Sequence, residues 1–315
     1  MTRVGGGRNF GFGKTMSWAG KNALQTAYLG HFATVAAHTA RWEQFSAWAK
    51  EHGVKDSRDV TKELVVAYGR ELAGQVRQGA TEVAYAQNLL SSVNVTLAAL
   101  RGDRAIKVSP SALVGQRSSV RTAAPYAMDR ERVTAAARDL ADAGHARAAS
   151  VLELAREFGL REKEASLLNL RDALHQVQTR HAINVVEGTK GGRGKEVDRW
   201  VPASNRSVAI LERAITAADG GRNLIPADKS FRQFNNHVHA VTAPVFERSG
   251  LRGIHDLRAA YACERYHQLT RHEAPAVAGY REASRGADRE ARKVIAEELG
   301  HGRAEVATAY VGSAR

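Results

Sequence analysis

Residues 181–203, "HAINVVEGTKGGRGKEVDRWVPA", hold the one good strand signal in the chain. "HAINVVE" and "EVDRWVPA" are β-branched or alternating runs, and "GTKGGRGK" between them is loaded with glycine, so the stretch predicts a β-hairpin with Lys190 at its tip. Everything on either side reads as helix. Upstream, "DRERVTAAARDLADA" and "ARAASVLELAREF" predict helices near Arg130–Ala143 and Ala146–Phe158, with Gly159 ending the second and "REKEASLLNL" starting another at once. Downstream, "SNRSVAILERAITAA", "SFRQFNNHVHAVTAPVFERSG", "HDLRAAYACERYHQLTR" and "REARKVIAEELG" continue the pattern. The expected fold class is mostly α with one small sheet.

Further out, Trp18 to Leu100 is helical in period. In "GHFATVAAHTARWEQFSAWAKEHG" the residues Phe32, Val35, Ala36, Trp42, Phe45 and Trp48 fall on one face, and Gly53 is a stop. "TKELVVAYGRELAGQVRQG" and "EVAYAQNLLSSVNVTLAALRG" repeat the plan, which makes a small bundle. Between them and the second region, "GDRAIKVSPSALVGQRSSVRTAAP" has the prolines, serines and cations of a linker suited to crossing a phosphate backbone. The expected organisation is a basic flexible arm at 1–15, a helical body at 16–104, a linker at 105–125 and a second body at 126–315. No repeat of fixed period is evident.

The chain has 315 residues, with 46 Lys and Arg against 33 Asp and Glu, a net charge of +13 that attracts polyanions, of which nucleic acid is the commonest. A lone cysteine, Cys263, makes no intrachain disulfide and no cysteine zinc site, which fits a reducing cytoplasmic compartment. The N-terminal stretch lacks an apolar signal-peptide core, and no run of about 18 apolar residues occurs. The "GFGKT" near the start would need its first loop glycine at Arg8 and has no strand before it, so it is not a phosphate loop.

Six polar residues fall at element edges in the second region: Arg161 after "GL", Lys190 in the hairpin turn, His255 and Arg258 in "HDLR", His301 in "LGH", and Tyr310, nine residues beyond His301. Each has a plain explanation alone. Arg161 pairs on a surface, Lys190 is a solvated turn lysine, His301 is a helix-end residue at the carbonyl dipole, and His255 and Arg258 share a helix face.

In this order and with these spacings they resemble the tyrosine recombinase (phage integrase) family. "GLREKEASLLNLRD" also resembles the family's first motif, with Glu164 one turn after the arginine as a supporting residue. The resemblance spans residues 126–315, and the N-terminal helices are similar to that family's SAM-like core-binding domain. It implies a catalytic set of Arg161, Lys190, His255, Arg258, His301 and Tyr310, with no metal and no cofactor. It also implies attack by Tyr310 on DNA to give a 3′-phosphotyrosyl link, His255 as proton acceptor and Lys190 as proton donor to the departing oxygen. Its implied partners are double-stranded DNA at attachment sites bridged by four protomers, together with accessory DNA-bending proteins. The implied role is integration or excision of a mobile element, in a prokaryotic or phage setting at the nucleoid. The alternative in another class is a non-catalytic DNA-binding accessory or regulatory relative.

The chemistry suits the residue types. A phosphodiester repels nucleophiles, and guanidinium forks on Arg161 and Arg258 can each donate paired hydrogen bonds to its oxygens while staying charged. Imidazole moves protons near neutrality. A free phenol has a pKa of about 10, so on the order of 0.1 per cent is ionised at pH 7 and it must be activated. Tyr261 and Tyr266 lie on the "HDLR" helix with packing spacing, and Tyr280 has no "LGH" before it. A metal hydrolase built on His255 and Asp256 with His237 and His239 lacks further carboxylates at helical spacing. Arg232, Asn235 and Asn236 are open to base contact and equally to solvation.

Two departures from the family pattern stand out. His255 to His301 spans 46 residues, about twice the family's interval, and "HEAPAVAGYREASRGADREARK", residues 272–293, reads as an inserted polar segment. Five residues follow Tyr310, where many relatives carry a longer tail that docks on a neighbouring protomer, and Gly312 stands where a histidine is often found.

Overall fold

The computed structural model describes residues 6–313, with backbone alone at 191 and 193. The described chain divides into two compact units, residues 1–118 and 119–315, each with its own apolar core.

The first unit is built from α1 (Met16–Ala27), α2 (Phe32–Glu51), α3 (Lys62–Arg77), α4 (Val83–Arg101) and α5 (Pro110–Val114). Hydroxyl caps start three of them: Thr15, Thr61 and Ser109 each accept from the amide three residues on. Trp42 is the keystone. Its ring lies so close to α1 that a Cβ at Gly20 would sit 2.0 Å from its Nε1, and that nitrogen donates to the Met16 carbonyl at 2.8 Å. Phe45 packs against it, and Trp48 and Tyr68 pack in turn on Phe45.

Three sequence expectations differ here. Phe32 is 83% exposed and Ala36 is also exposed, because burial along α2 begins at Val35 and becomes frequent only from Trp42. The described part of the basic arm is fixed on the body: Arg8–Gly11 form a 3₁₀ turn whose Phe10 enters the core, while Asn9 accepts from Ser57 and its amide donates to Asp56 at 2.9 Å. Residues 1–5 of that arm lie outside the described residues. Finally, the first part of the expected linker belongs to this body, with Val108 and Val114 buried and α5 packed on α3 and α4.

The second unit runs α6 (Arg130–Asp142), α7 (Ala146–Phe158), α8 (Glu162–Leu167), α9 (Leu170–Arg180), β1 (Ala182–Asn184), β2 (Trp200–Pro202), α10 (Ser207–Ala218), α11 (Phe231–Ser249), α12 (Ile254–Thr270), α13 (Pro275–Ala278), α14 (Arg285–Glu298) and α15 (Thr308–Val311). The fold is mostly α with a two-stranded antiparallel sheet in which Ala182 faces Pro202 and Asn184 faces Trp200. Its strands are shorter than the sequence suggests, because the glycine-rich connection winds into a 3₁₀ segment, Lys190–Lys195, instead of extending the ladder. The stretch "REKEASLLNL" is broken rather than one helix: Leu168 leaves helical geometry and Asn169 caps α9.

Helices α7 and α12 form the centre, with most of their side chains buried. Between them runs a buried ionic cluster. Arg130 bridges Glu157 and Glu264 at 2.9 and 2.8 Å, Arg156 meets Glu264 at 2.7 Å, and the Ser204 and Ser207 hydroxyls donate to Glu157. The 272–293 segment is structured, and Ala274, Ala276, Ala283 and Ala291 lie in the core. It reads as polar by composition, yet its small residues are buried from α13, from the turn before α14 and from α14 itself.

Candidate active site

Helix α7 ends at Gly159, whose φ of +60° turns the chain so that Arg161 starts α8. A Cβ at Gly159 would lie 2.5 Å from the Tyr261 ring. Arg161 and Glu164 lock reciprocally: the Arg161 amide donates to Glu164 Oε2 at 2.8 Å and its Nη1 to Oε1 at 2.5 Å. Glu164 is fully buried, with Arg199 Nη1 at 2.8 Å and Arg258 Nη1 at 3.6 Å. Burial would raise its pKa, but Arg199, Arg258 and Arg161 together with the Arg161 amide hold it below the ordinary value.

Arg258, three residues into the α12 turn opened by His255, is fully buried. Its Nη1 donates to the Gly159 carbonyl and its Nη2 to the Leu299 carbonyl, so both forks are spent on backbone. The remaining Nε donates to the Tyr310 hydroxyl at 3.3 Å. Burial brings this guanidinium down to about 10, which leaves it charged at neutral pH. The sequence reading of two arginines both free to fork a phosphate therefore holds for neither symmetrically: Arg161, with its side chain 27% exposed and one Nη on Glu164, is the open one.

His301 Nε2 lies 3.1 Å from the Tyr310 hydroxyl and 3.4 Å from Arg258 Nη2. A guanidinium can only donate, so Nε2 is the acceptor and the ring proton belongs on Nδ1. Burial, then Arg258, Arg161 and Arg199, push His301 down to about 4, so it is neutral at physiological pH. His255 is held low by burial and by Arg258, Arg121 and Arg161, and its ring centre is 5.5 Å from that of Tyr310. Tyr310 is 4% exposed, with the Arg258 guanidinium 5.5 Å from its ring centre.

Five of the sequence-derived residues thus meet in one place: Arg161 and Glu164 on α8, Arg258 on α12, His301 after α14 and Tyr310 on α15, with His255 against the tyrosine ring. Lys190 is exposed and joins them across a cavity of about 120 Å³ lined also by Arg161, Thr189, Arg199, Gly300 and His301. That is about four water volumes, room for a small anion.

The other tyrosines differ in what their hydroxyls face. Tyr261 donates to Glu298 at 2.7 Å, Tyr266 to Asp288 at 2.8 Å and Tyr280 to Glu282 at 3.1 Å. For Tyr261 and Tyr266 burial and then the carboxylate raise the pKa, which suppresses the phenolate. Cys263 is buried and raised to about 12, an inert thiol whose Sγ lies 3.5 Å from the Tyr310 carbonyl.

Asp256, which the metal-hydrolase alternative requires, accepts instead from Arg121 Nη2 at 2.9 Å and the Ala127 amide at 3.0 Å. His237 packs on His145 and His239 on Glu162, so neither joins His255. Arg121, in the stretch expected to cross a phosphate backbone, is committed to this internal pair.

Sequence reasoning missed Arg199. It is 6% exposed, its Nε donates to the Glu298 carbonyl at 2.7 Å, and its Nη2 is buried without a hydrogen-bond partner. The signal was alternation: Arg199 shares the inward face with Val201 while Trp200 faces outward, and a charge on the buried face of a strand demands a partner.

One of the two helical units thus gathers arginines, a lysine, imidazoles and a phenol around an anion-sized cavity. The Integrase family profile matches residues 115–264, ending before His301 and Tyr310. Lambda integrase residues 75–356, solved as a dimer bound to a COC′ core site, superpose with a TM-score of 0.59 at 18% identity, covering 95% of each chain. XerH site-specific recombinase, solved as a post-cleavage complex with palindromic difH substrate, gives 0.61 at 14% identity over 94% of this chain and 79% of that one. A lambda integrase tetramer bound to a Holliday junction gives 0.56 at 17% identity, covering 91% and 76%. No curated protein sequence matches the chain. Residues 115–264 thus match the integrase family, and the fold is that of the tyrosine recombinases.

Proposed function

We propose that the protein cleaves and rejoins duplex DNA at specific sites through a 3′-phosphotyrosyl intermediate on Tyr310, in the integration or excision of a mobile element. The observation that carries this reading is the setting of Tyr310: its hydroxyl faces a guanidinium and a neutral imidazole, where Tyr261, Tyr266 and Tyr280 face carboxylates.

In this scheme the Tyr310 hydroxyl donates to His301 Nε2 and accepts from Arg258 Nε, so loss of the proton leaves a phenolate on a fixed cation. Burial and then three arginines keep His301 a weak base until a phosphate anion offsets the arginine field and raises its proton affinity, which times activation to substrate arrival. Family resemblance assigns the acceptor role to His255, but the distances favour His301, with His255 packing the ring. Arg161 offers its free donors to the non-bridging oxygens, and Lys190 protonates the departing 5′-oxygen. One P–O bond forms to Tyr310 and one breaks to the 5′-oxygen, so the phosphodiester is conserved and the 5′-hydroxyl reverses the step without ATP. By analogy with the tetrameric neighbour, four protomers act on paired sites.

The test is trapping. A nicked suicide duplex carrying the DNA that flanks the gene is expected to give a covalent band on a denaturing gel, which Tyr310→Phe abolishes. No band from the wild type on its cognate site would leave a non-catalytic DNA binder as the function.

A further inference from the structure

The segment that carries Tyr310 is a 3₁₀ turn, Ala304–Ala307, followed by the single turn of α15. One helical turn is not stable by itself, so its position is set by what grips it. The Arg121 amide donates to the Thr308 carbonyl at 3.2 Å on one side. On the other, the grip comes from residues 272–293, the stretch by which the His255–His301 interval is long.

Within that stretch α13 backs onto α15. Gly312, at φ +89°, approaches it so closely that a Cβ would lie 2.5 Å from the Ala276 nitrogen. From α14, Arg292 Nη1 donates to the Gly312 carbonyl at 3.0 Å and lies 3.5 Å from Thr308 Oγ1, thereby spanning both ends of α15. Its Nε is forked on Asp288 at 2.9 and 3.0 Å, and Asp288 also accepts from the Tyr266 hydroxyl of α12. Arg292, Asp288 and Tyr266 are all buried. A rigid relay therefore runs from the core helix to the backbone just beyond Tyr310.

We propose that residues 272–293 are an in-chain dock for the segment bearing the nucleophile, with Arg292 as its positioning residue. Removing the guanidinium leaves Asp288 buried without its countercharge and the Gly312 carbonyl without its donor, and α15 loses its fixed distance to Arg258 and His301. The catalytic consequence rests on the reading of Tyr310 as nucleophile. The dock itself does not.

Full-length Arg292→Met, Arg292→Lys and Gly312→Ala are compared with wild type in two measurements. By hydrogen exchange, amides of residues 303–313 are expected to exchange at least about tenfold faster in Arg292→Met and Gly312→Ala, with α7 and α12 unchanged. On the suicide duplex, the single-turnover rate of adduct formation is expected to fall by about tenfold to a hundredfold while the Kd for DNA stays within about twofold, since a 1 Å misplacement costs on that order. Arg292→Lys, which keeps the charge on Asp288 without the fork, falls between. Unchanged exchange at 303–313, or a rate loss matched by an equal loss of DNA affinity, would overturn the proposal. Should Arg292→Met fail to fold, Gly312→Ala attacks the same dock where α15 meets α13. Should wild type form no adduct, the exchange comparison still judges the dock while the proposed function fails separately.

Discussion

At the scale of single residues the site is a field of guanidiniums that keeps two imidazoles uncharged. His301 is depressed to about 4 and His255 is also held low, both by burial first and then by arginines. The sign follows from linkage. An unfolded histidine protonates near 6.5, so between that pH and about 4 the unfolded chain binds protons that the folded chain refuses, and stability drops as pH falls through that window. For His301 alone the expected loss is about 2 kcal/mol, after discounting a full shift for partial exposure. Urea unfolding at pH 7 and pH 4.5 measures it, and His301→Gln should flatten the difference by that amount. An unchanged pH dependence in the variant would remove the arginine field from the account. The field's sources were only partly visible in the sequence. Arg161, Glu164 and Arg258 were marked by local spacing, but nothing local says that residues 97 positions apart share one carboxylate, as Arg161 and Arg258 do through Glu164. Nor does spacing show that Arg258 turns both forks to carbonyls, since those acceptors at Gly159 and Leu299 arrive only through packing.

At the scale of elements, the junction of α7 and α8 does the positioning. Gly159 adopts left-handed geometry, lends its carbonyl to Arg258, and leaves no room toward Tyr261 and Leu299, where a Cβ would sit at 2.5 and 2.9 Å. Gly159→Ala combines left-handed strain with overpacking, and a loss of about 2–4 kcal/mol is expected in denaturant unfolding. A loss under about 0.5 kcal/mol, the range of ordinary surface changes, would show that the junction is not tightly packed. Helices such as α6, α7 and α12 were legible because their apolar period and end signals are local. The hairpin was legible as a pair of strands around Lys190, but its length was not, since glycines permit both an extended turn and the 3₁₀ winding that occurs. Residues 272–293 were unreadable for another reason: the pattern of alanines and charges gives an amphipathic face without naming what that face packs on, and α15, its partner, is too short to announce itself.

At the scale of the whole chain, a net charge of +13 is shared by two units with separate cores, and all the side chains drawn into the site belong to the second. Ion pairs there, such as Arg156 with Glu264 and Arg199 with Glu164, join elements of the same unit. A fragment of residues 119–315 is therefore expected to fold cooperatively, with the chemistry intact and part of the DNA grip missing. Each phosphate neutralised contributes about 0.9 to the slope of log affinity against log salt. The full chain should thus show a steep slope, and the fragment a slope shallower by several units, whereas its single-turnover adduct rate at saturating protein stays within about tenfold. Equal slopes would mean that the first unit contributes no phosphate contacts, and its role would have to be sought in protein partners instead. A fragment that fails to unfold as one transition would contradict the independence of the two cores from which the argument starts.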